Sequence, residues 1–414
     1  MKNIYIVNMT SRSIRYGIGT YIRQLIRCAQ HAGMKVHYVL ISDEVKEFEV
    51  VGKDGVRHLN IPLSSYGNGY SLNALIKIEE SIAYLLKEFI DDDDENIFHF
   101  NIMRQEALIS RMKKQYKGKF VLTVHYTEWS FELLGDRKKL KQILNKRLDR
   151  MDFRENYVSN SFRRDKKVLN EHADRVVAIA QHSYDDIVGI YGTDPGKVTL
   201  INNALPDKYR HLSAQQRDAL RARYNLSPDE NVIIFAGRLD EVKGIAILIR
   251  AFRILLGRYP NSRLIVAGEG EFKELLAHAF GDWGKVMFTG YIGQRTLNDL
   301  YSVADIGVVP SLHEEFGYVA IEMMMHRLPV IVNATTGLAE IVDHEINGLH
   351  VFLKRGKHNL RYSAGELAGG IIRLLSNPDL RLELGRNARK KISIPVLDPA
   401  FRREDEIFIS NFIK

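Results

Sequence analysis

The chain has 414 residues, 45% of them apolar and 27% charged, with a formal net charge of +8. That length is too great for one ordinary core and predicts two domains of a soluble globular protein. No run of eighteen apolar residues occurs, the opening MKNIYIVNM lacks the apolar stretch of a signal peptide, and the single Cys28 cannot pair internally; a membrane span and a disulfide framework are thereby excluded, and a cytoplasmic location is expected.

In chain order, NIYIV (Asn3–Val7) reads as a first strand. A helix opened by Gly17 and Gly19 follows, with apolar positions at Ile22, Leu25 and Ile26. Further strands are expected at Val36–Ile41, Asn96–Phe100, Phe120–Val124, Arg175–Ile179 and Lys197–Ile201. These are continuous apolar runs separated by helical patterns, as in a parallel sheet covered on both faces. The run DDDD (Asp91–Asp94) contains a D-x-D but precedes a strand, the wrong end for a ligand, and reads as a solvated acidic loop. After INNALP the pattern restarts at Val232–Gly237, Arg263–Gly268, Val286–Gly290, Asp305–Pro310 and Pro329–Val332. The fold class is therefore α/β with two Rossmann-like, doubly wound domains facing across a cleft, and the boundary falls near Pro206.

In such sheets ligands sit beyond the carboxyl ends of the strands, so the residues following strands carry the chemistry. Gly17 and Gly19 would let backbone amides approach a phosphate at the start of a helix, or serve an ordinary turn. Arg238 and Lys243, in GRLDEVKG, could neutralise a diphosphate, or be surface cations. Glu314 lies in a loop after a strand, and Glu322 lies among Val319, Ala320, Ile321 and Met323. A carboxylate there needs hydrogen-bond donors, which vicinal sugar hydroxyls, a core arginine or a backbone cap would supply. Met323–Met325 are expected to pack the core. His125 closes its strand and either faces the cleft or is structural. Residues 137–167 hold twelve Lys/Arg against four Asp/Glu. That segment is either a solvated helical face or a surface for an acidic partner such as anionic lipid.

Taken together and in order, the GIG turn, GRLDEVKG, VAGEG, FTGYI, YSVADIGVVPS, EEFGYVAIEMM, PVIV and GLAEIVDHEINGL resemble the retaining glycosyltransferases of family 4 (glycosyl transferases group 1, GT-B fold). The resemblance implies an acceptor-binding domain at 1–205, joined by a C-terminal helix at about 398–414, and a donor-binding domain at 206–397. It implies that Arg238 and Lys243 hold the donor's diphosphate, that Glu314 contacts the transferred sugar, and that Glu322 holds the ribose. Phe316, Gly317 and Tyr318 would form the turn whose amides approach sugar and phosphate, Gly17 and Gly19 the loop at the diphosphate, and His125 a group near the reaction centre. Ile292 would meet the base. The implied activity is transfer of a sugar from a nucleoside diphosphate sugar to an acceptor hydroxyl with retention, in bacterial glycan, lipopolysaccharide or glycolipid synthesis. No metal or other cofactor is implied. The expected partners are the nucleotide-sugar donor, a glycan or lipid-linked acceptor and, through residues 137–167, an anionic inner membrane surface; no nucleic acid is expected. A nucleotide-sugar 2-epimerase-like isomerase and a non-catalytic protein of the same fold are the rival readings. Asn203 stands where the family often has glycine.

Overall fold

The computed structural model describes residues 2–9, 17–63, 72–91, 95–205, 207, 209–210, 212–270, 272–279, 281–354 and 360–393. The expected C-terminal helix, most of the GIG turn's approach and most of DDDD lie outside them. The chain divides into two compact units, one built on Met1–Asn203 and the other on Ala204–Asp398. Among the described residues no helix is long and apolar enough to cross a membrane.

The first unit carries strands β1 (Asn3–Met9), β2 (Lys35–Ser42), β3 (Glu49–Lys53), β4 (Val56–Pro62), β5 (Ile97–Phe100), β6 (Lys119–Val124), β7 (Arg175–Ala178) and β8 (Val198–Leu200). Its helices are α1 (Gly17–His31), α2 (Leu72–Leu85), α3 (Glu106–Gln115), α4 (Glu128–Leu133), α5 (Arg137–Leu144), α6 (Phe153–Lys167) and α7 (Gln181–Gly189). The sheet runs β3-β4-β2-β1-β5-β6-β7-β8 and is parallel except for the β3–β4 hairpin. Successive side chains of a strand point to opposite faces. Tyr5, Val7, Phe98, Phe100, Leu122 and Val124 accordingly fill one core, and Ile4, Ile6, Ile97 and Val121 the other. This two-sided burial is why the strands read as unbroken apolar runs.

The β3–β4 hairpin is not among the expected elements, because EVVGK is exposed at every position and shows no apolar run. Its signal is the Asp54-Gly55 pair. Both residues are left-handed, at φ +51° and +74°, the geometry that joins two antiparallel strands through two residues.

The second unit carries β9 (Asn231–Ala236), β10 (Ser262–Ala267), β11 (Val286–Gly290), β12 (Ile306–Val309), β13 (Val330–Asn333) and β14 (Gly348–Val351) in the order β11-β10-β9-β12-β13-β14, all parallel. Strand β14 adds one to the expected set. Helices α8 (Ala214–Arg223), α9 (Ile245–Leu256), α10 (Phe272–His278), α11 (Gln294–Val303), α12 (Tyr318–Met325), α13 (Thr336–Ile341), α14 (Leu360–Ser376) and α15 (Pro378–Ser393) alternate with and follow the strands. Met323, Met324 and Met325 are core residues, at most 3% exposed.

Neighbouring strands β9 and β10 both lead into glycine. At Gly268 φ is +141°, and a Cβ would lie 1.8 Å from the Gly237 carbonyl oxygen. The Gly268→Ala variant is expected to lose about 2 kcal/mol or more of stability, read as a lower urea midpoint at unchanged m-value. An unchanged midpoint would show that these two chain ends can separate freely.

Candidate active site

Four turns at the carboxyl edge of the second sheet are laced together. After β9, Arg238 Nη2 lies 3.0 Å from Asp240 Oδ2. Asp240 in turn caps a single 3₁₀ turn, its Oδ1 accepting the Lys243 amide at 3.2 Å. Gly244 then starts α9 in the left-handed region, at φ +70°, where a Cβ would fall 2.1 Å from the Pro310 carbonyl oxygen. The Leu312 amide donates to the Val242 carbonyl at 2.7 Å, which binds this turn to the loop after β12.

That second loop presents Glu314. Its Oε2 lies 2.6 Å from Lys243 Nζ and accepts the Ser311 hydroxyl at 3.2 Å. The pair is neither sealed nor fully solvated, with 14% of the lysine side chain and 20% of the glutamate exposed. The backbone of Glu314 is fixed from α13: its amide donates to Thr336 Oγ1 at 3.2 Å, and its carbonyl accepts the Gly337 amide at 2.9 Å. Buried Asn333, at the end of β13, donates to the Ser311 carbonyl at 3.0 Å and accepts the Leu353 amide at 2.9 Å. Ser311, Asn333 and Thr336 are not among the expected site residues. Their signal is position, since each follows or ends a strand close to a residue that is.

Gly317 is the left-handed cap of α12, Phe316 is buried, and the Phe316 and Tyr318 rings meet edge-on at 5.2 Å. One turn into α12, half-buried Glu322 accepts the Tyr301 hydroxyl on Oε2 at 3.1 Å, and Gln294 Nε2 approaches Oε1 at 3.5 Å. Burial, and then the adjacent Glu322 carboxylate, hold the Tyr301 pKa well above the usual phenol value, so it remains a neutral donor. Ile292 is half-buried in the turn between β11 and α11. Five of the expected residues, Arg238, Lys243, Glu314, Phe316 and Gly317, thus fall on two turns of one sheet edge, with Tyr318 and Glu322 on the helix that follows. Arg238 pairs with its own turn rather than with Glu314.

In the first unit Gly17 and Gly19 form the first turn of α1, with Gly19 buried. His125 is 8% exposed, its Nε2 lies 3.1 Å from Asn101 Oδ1, and the Tyr21 ring meets it edge-on at 4.7 Å. The Tyr21 hydroxyl is 2.8 Å from Thr123 Oγ1, which lies 2.7 Å from His99 Nε2. Burial pushes the His125 pKa down to about 3, so the imidazole is neutral at neutral pH. His125 lines a pocket with Asn101, Arg104, Tyr126, Glu128 and Asp165. In it Arg104 Nε meets Glu128 Oε1 at 2.5 Å, and the Tyr157 hydroxyl donates to Glu128 Oε2 at 2.7 Å. Burial raises the pKa of Asp165, 1% exposed, to about 6 against the pull of Arg164. This acidic group carries no sequence signal, since its members are scattered from 101 to 165.

A histidine that protonates near 6.5 when unfolded but near 3 when folded contributes stability that is complete above pH 6.5 and is lost as pH falls toward 3. The His125 ring is therefore expected to stay unprotonated at pH 5 in a ring-nitrogen NMR titration. A midpoint above 5.5 would contradict the burial argument.

Two family models match the chain: Glycosyltransferase Family 4 over residues 16–209 and Glycosyl transferases group 1 over residues 216–391. An uncharacterized glycosyltransferase of Methanocaldococcus jannaschii is 34% identical over 223 residues, covering 53% of this chain and 55% of that protein. The chain spans about half the length of the curated relatives it matches. Among solved structures, sucrose-phosphate synthase from Thermosynechococcus elongatus superposes with a TM-score of 0.76 at 23% identity, over 100% of this chain and 99% of that one. HepE of Anabaena, in complex with UDP-glucose, gives a TM-score of 0.71 at 17% identity over 99% and 100%. The likeness of fold is that of GT-B proteins, and with both units matched by their own family models the chain belongs to the group 1, family 4 glycosyltransferases.

Proposed function

We propose that the protein transfers a sugar from a nucleoside diphosphate sugar to an acceptor hydroxyl with retention of configuration. The observation that carries this reading is the convergence of Lys243 and Glu314, from turns after different strands, at 2.6 Å on the carboxyl edge of the second sheet. A cation and a carboxylate held so can exchange partners when a donor arrives. The diphosphate takes the ammonium, and the sugar hydroxyls donate to the released carboxylate.

In the reaction the bond from the anomeric carbon to the phosphate oxygen breaks, and a bond to the acceptor oxygen forms on the same face. The acceptor's proton passes to the departing phosphate, so no protein nucleophile is required. Charge grows on the diphosphate as it leaves, which makes Lys243 and Arg238 most stabilising in the transition state. Phe316, Gly317 and Tyr318 place backbone at the sugar, Ile292 meets the base, and Glu322 receives the ribose hydroxyls. Gly17, Gly19 and His125 belong to the first unit, 1–205 in this reading, which selects the acceptor, a glycan or lipid-linked hydroxyl compound. Because His125 is neutral, it serves as a hydrogen-bonding group and not as a cation. A cytoplasmic location fits the nucleotide-sugar donor and a sequence whose single cysteine cannot form an internal disulfide.

HepE, similar in fold, was solved in complex with UDP-glucose, so UDP-sugars are the first donors to try. A thermal-shift screen of UDP, GDP, ADP and their sugar conjugates is expected to single out one base, with a rise of several degrees at saturating ligand. No response to any of them would overturn the donor reading. Incubating the responding donor without acceptor separates the isomerase rival, which would interconvert the sugar.

A further inference from the structure

The excess charge of residues 137–167 resolves into two classes. Arg137 pairs with Asp186, Lys146 with Glu155, Arg147 with Asp149, Arg154 with Glu132, Arg164 with Asp165 and Lys167 with Glu106. Lys138, Lys139, Lys141, Arg150, Arg163 and Lys166 make no ion pair among the described residues, and all six are exposed. The first three lie on α5, which buries Leu140 and Ile143 against its neighbours and turns Lys138 away from them. Between α5 and α6 the chain makes a short turn. A capping box at Asp152 and Glu155 fixes its far side, and Lys146 to Glu155 at 2.5 Å ties its two ends together. This braced turn carries Leu148, 53% exposed, and leads directly into Phe153, 91% exposed. Among the described residues Phe153 is the most exposed of the large apolar side chains, at the first position of a helix whose own core contacts are made by Val158 and Phe162.

A solvated helical face explains the lysines but not Phe153. Leaving a phenylalanine almost wholly in water forfeits its burial, and nothing in α6 requires an aromatic at that position. Unpaired cations on α5 and in the braced, apolar turn that follows it match the chemistry of an anionic bilayer. Basic side chains meet the headgroups while the apolar ones enter the acyl boundary.

We propose that the α5–α6 turn docks this protein on an anionic membrane, with Phe153 and Leu148 inserted and Lys138, Lys139, Lys141 and Arg150 held against the headgroups. None of these residues belongs to the site described above, and the proposal does not depend on the transferase reading. Each lysine near such a surface is worth roughly fivefold in affinity, and a single apolar anchor is worth roughly tenfold.

The test is co-sedimentation of the full chain with phosphatidylglycerol vesicles, and with phosphatidylcholine vesicles as the neutral control. Binding is expected on the anionic vesicles alone, weakening as salt rises. Phe153→Ser should lower it about tenfold, and Lys138→Gln, Lys139→Gln and Lys141→Gln together about a hundredfold. All are surface changes and should leave the thermal midpoint and the donor-induced thermal shift where they were. In a Phe153→Trp variant the added fluorescence should move to the blue with anionic vesicles only. Failure to bind at low salt would overturn the proposal. So would binding that survives Phe153→Ser unchanged with no spectral shift, which is mere electrostatic adsorption. A preference for RNA or for a second copy of the chain over vesicles would also overturn it.

Discussion

Lys243→Ala is expected to lower turnover by about 10² to 10³-fold while leaving the fold nearly as stable as before. The rate loss is that of removing one preorganised charge from a departing diphosphate, on the order of 3 to 4 kcal/mol in the barrier. The small stability cost follows from the surroundings of Glu314. With Lys243 gone, the carboxylate still accepts from Ser311, and a fifth of its surface remains in water. Its desolvation is then only partly uncompensated, and a loss of about 1 kcal/mol is expected. A purely structural ion pair makes the opposite forecast for the double variant. Replacing Lys243 by Ala and Glu314 by Gln together removes both charges and should recover most of that stability. If the pair were only a brace, activity would recover with it; if Lys243 holds the diphosphate, turnover stays at the level of the lysine variant. Turnover of Lys243→Ala within threefold of the parent would refute the role.

What the sequence shows and what it hides divide along a physical line. Strands β1, β2, β5 to β7, β9, β10, β12 and β13 are legible because burial on both faces demands unbroken apolar runs. The β3 edge strand escapes because an exposed strand carries no such demand, and only the Asp54-Gly55 turn betrays it. Arg238, Lys243 and Glu314 are legible because they follow strands in a fixed order. Their relation is not, since no spacing shows that Lys243 meets Glu314, 71 residues on, while Arg238 folds back on Asp240. The lacing by Asn333 is hidden for the same reason, being a property of how turns from β12, β13 and β14 converge. His125 is legible as a residue closing a strand, but its burial depends on Tyr21 and Asn101, which come from two other segments. The basic run is plain in composition. Which of its cations are already paired, and that Phe153 stands out beside them, are visible only in three dimensions.

Glu322→Ala should weaken the binding of the nucleoside diphosphate by roughly ten- to fiftyfold, the value of hydrogen bonds from ribose hydroxyls to a carboxylate. The geometry of the side chain suits that task. Its Oε2 is held by the Tyr301 hydroxyl at 3.1 Å, while Gln294 approaches Oε1 only at a long 3.5 Å, a contact that a ribose hydroxyl would outcompete. Tyr301→Phe separates orientation from recognition. It removes the hydroxyl that orients Glu322 but keeps the charge, and a loss of only a few-fold is expected. The ligand supplies the decisive control. Deleting the 2′ and 3′ hydroxyls of the ribose should cost the parent protein the same ten- to fiftyfold and cost the alanine variant almost nothing, because the hydroxyls have then already lost their partner. Calorimetry that finds equal affinity for the intact nucleotide in parent and variant would remove Glu322 from the donor site. Equal sensitivity of the two proteins to the missing hydroxyls would leave Glu322 at the site but assign the ribose to another residue.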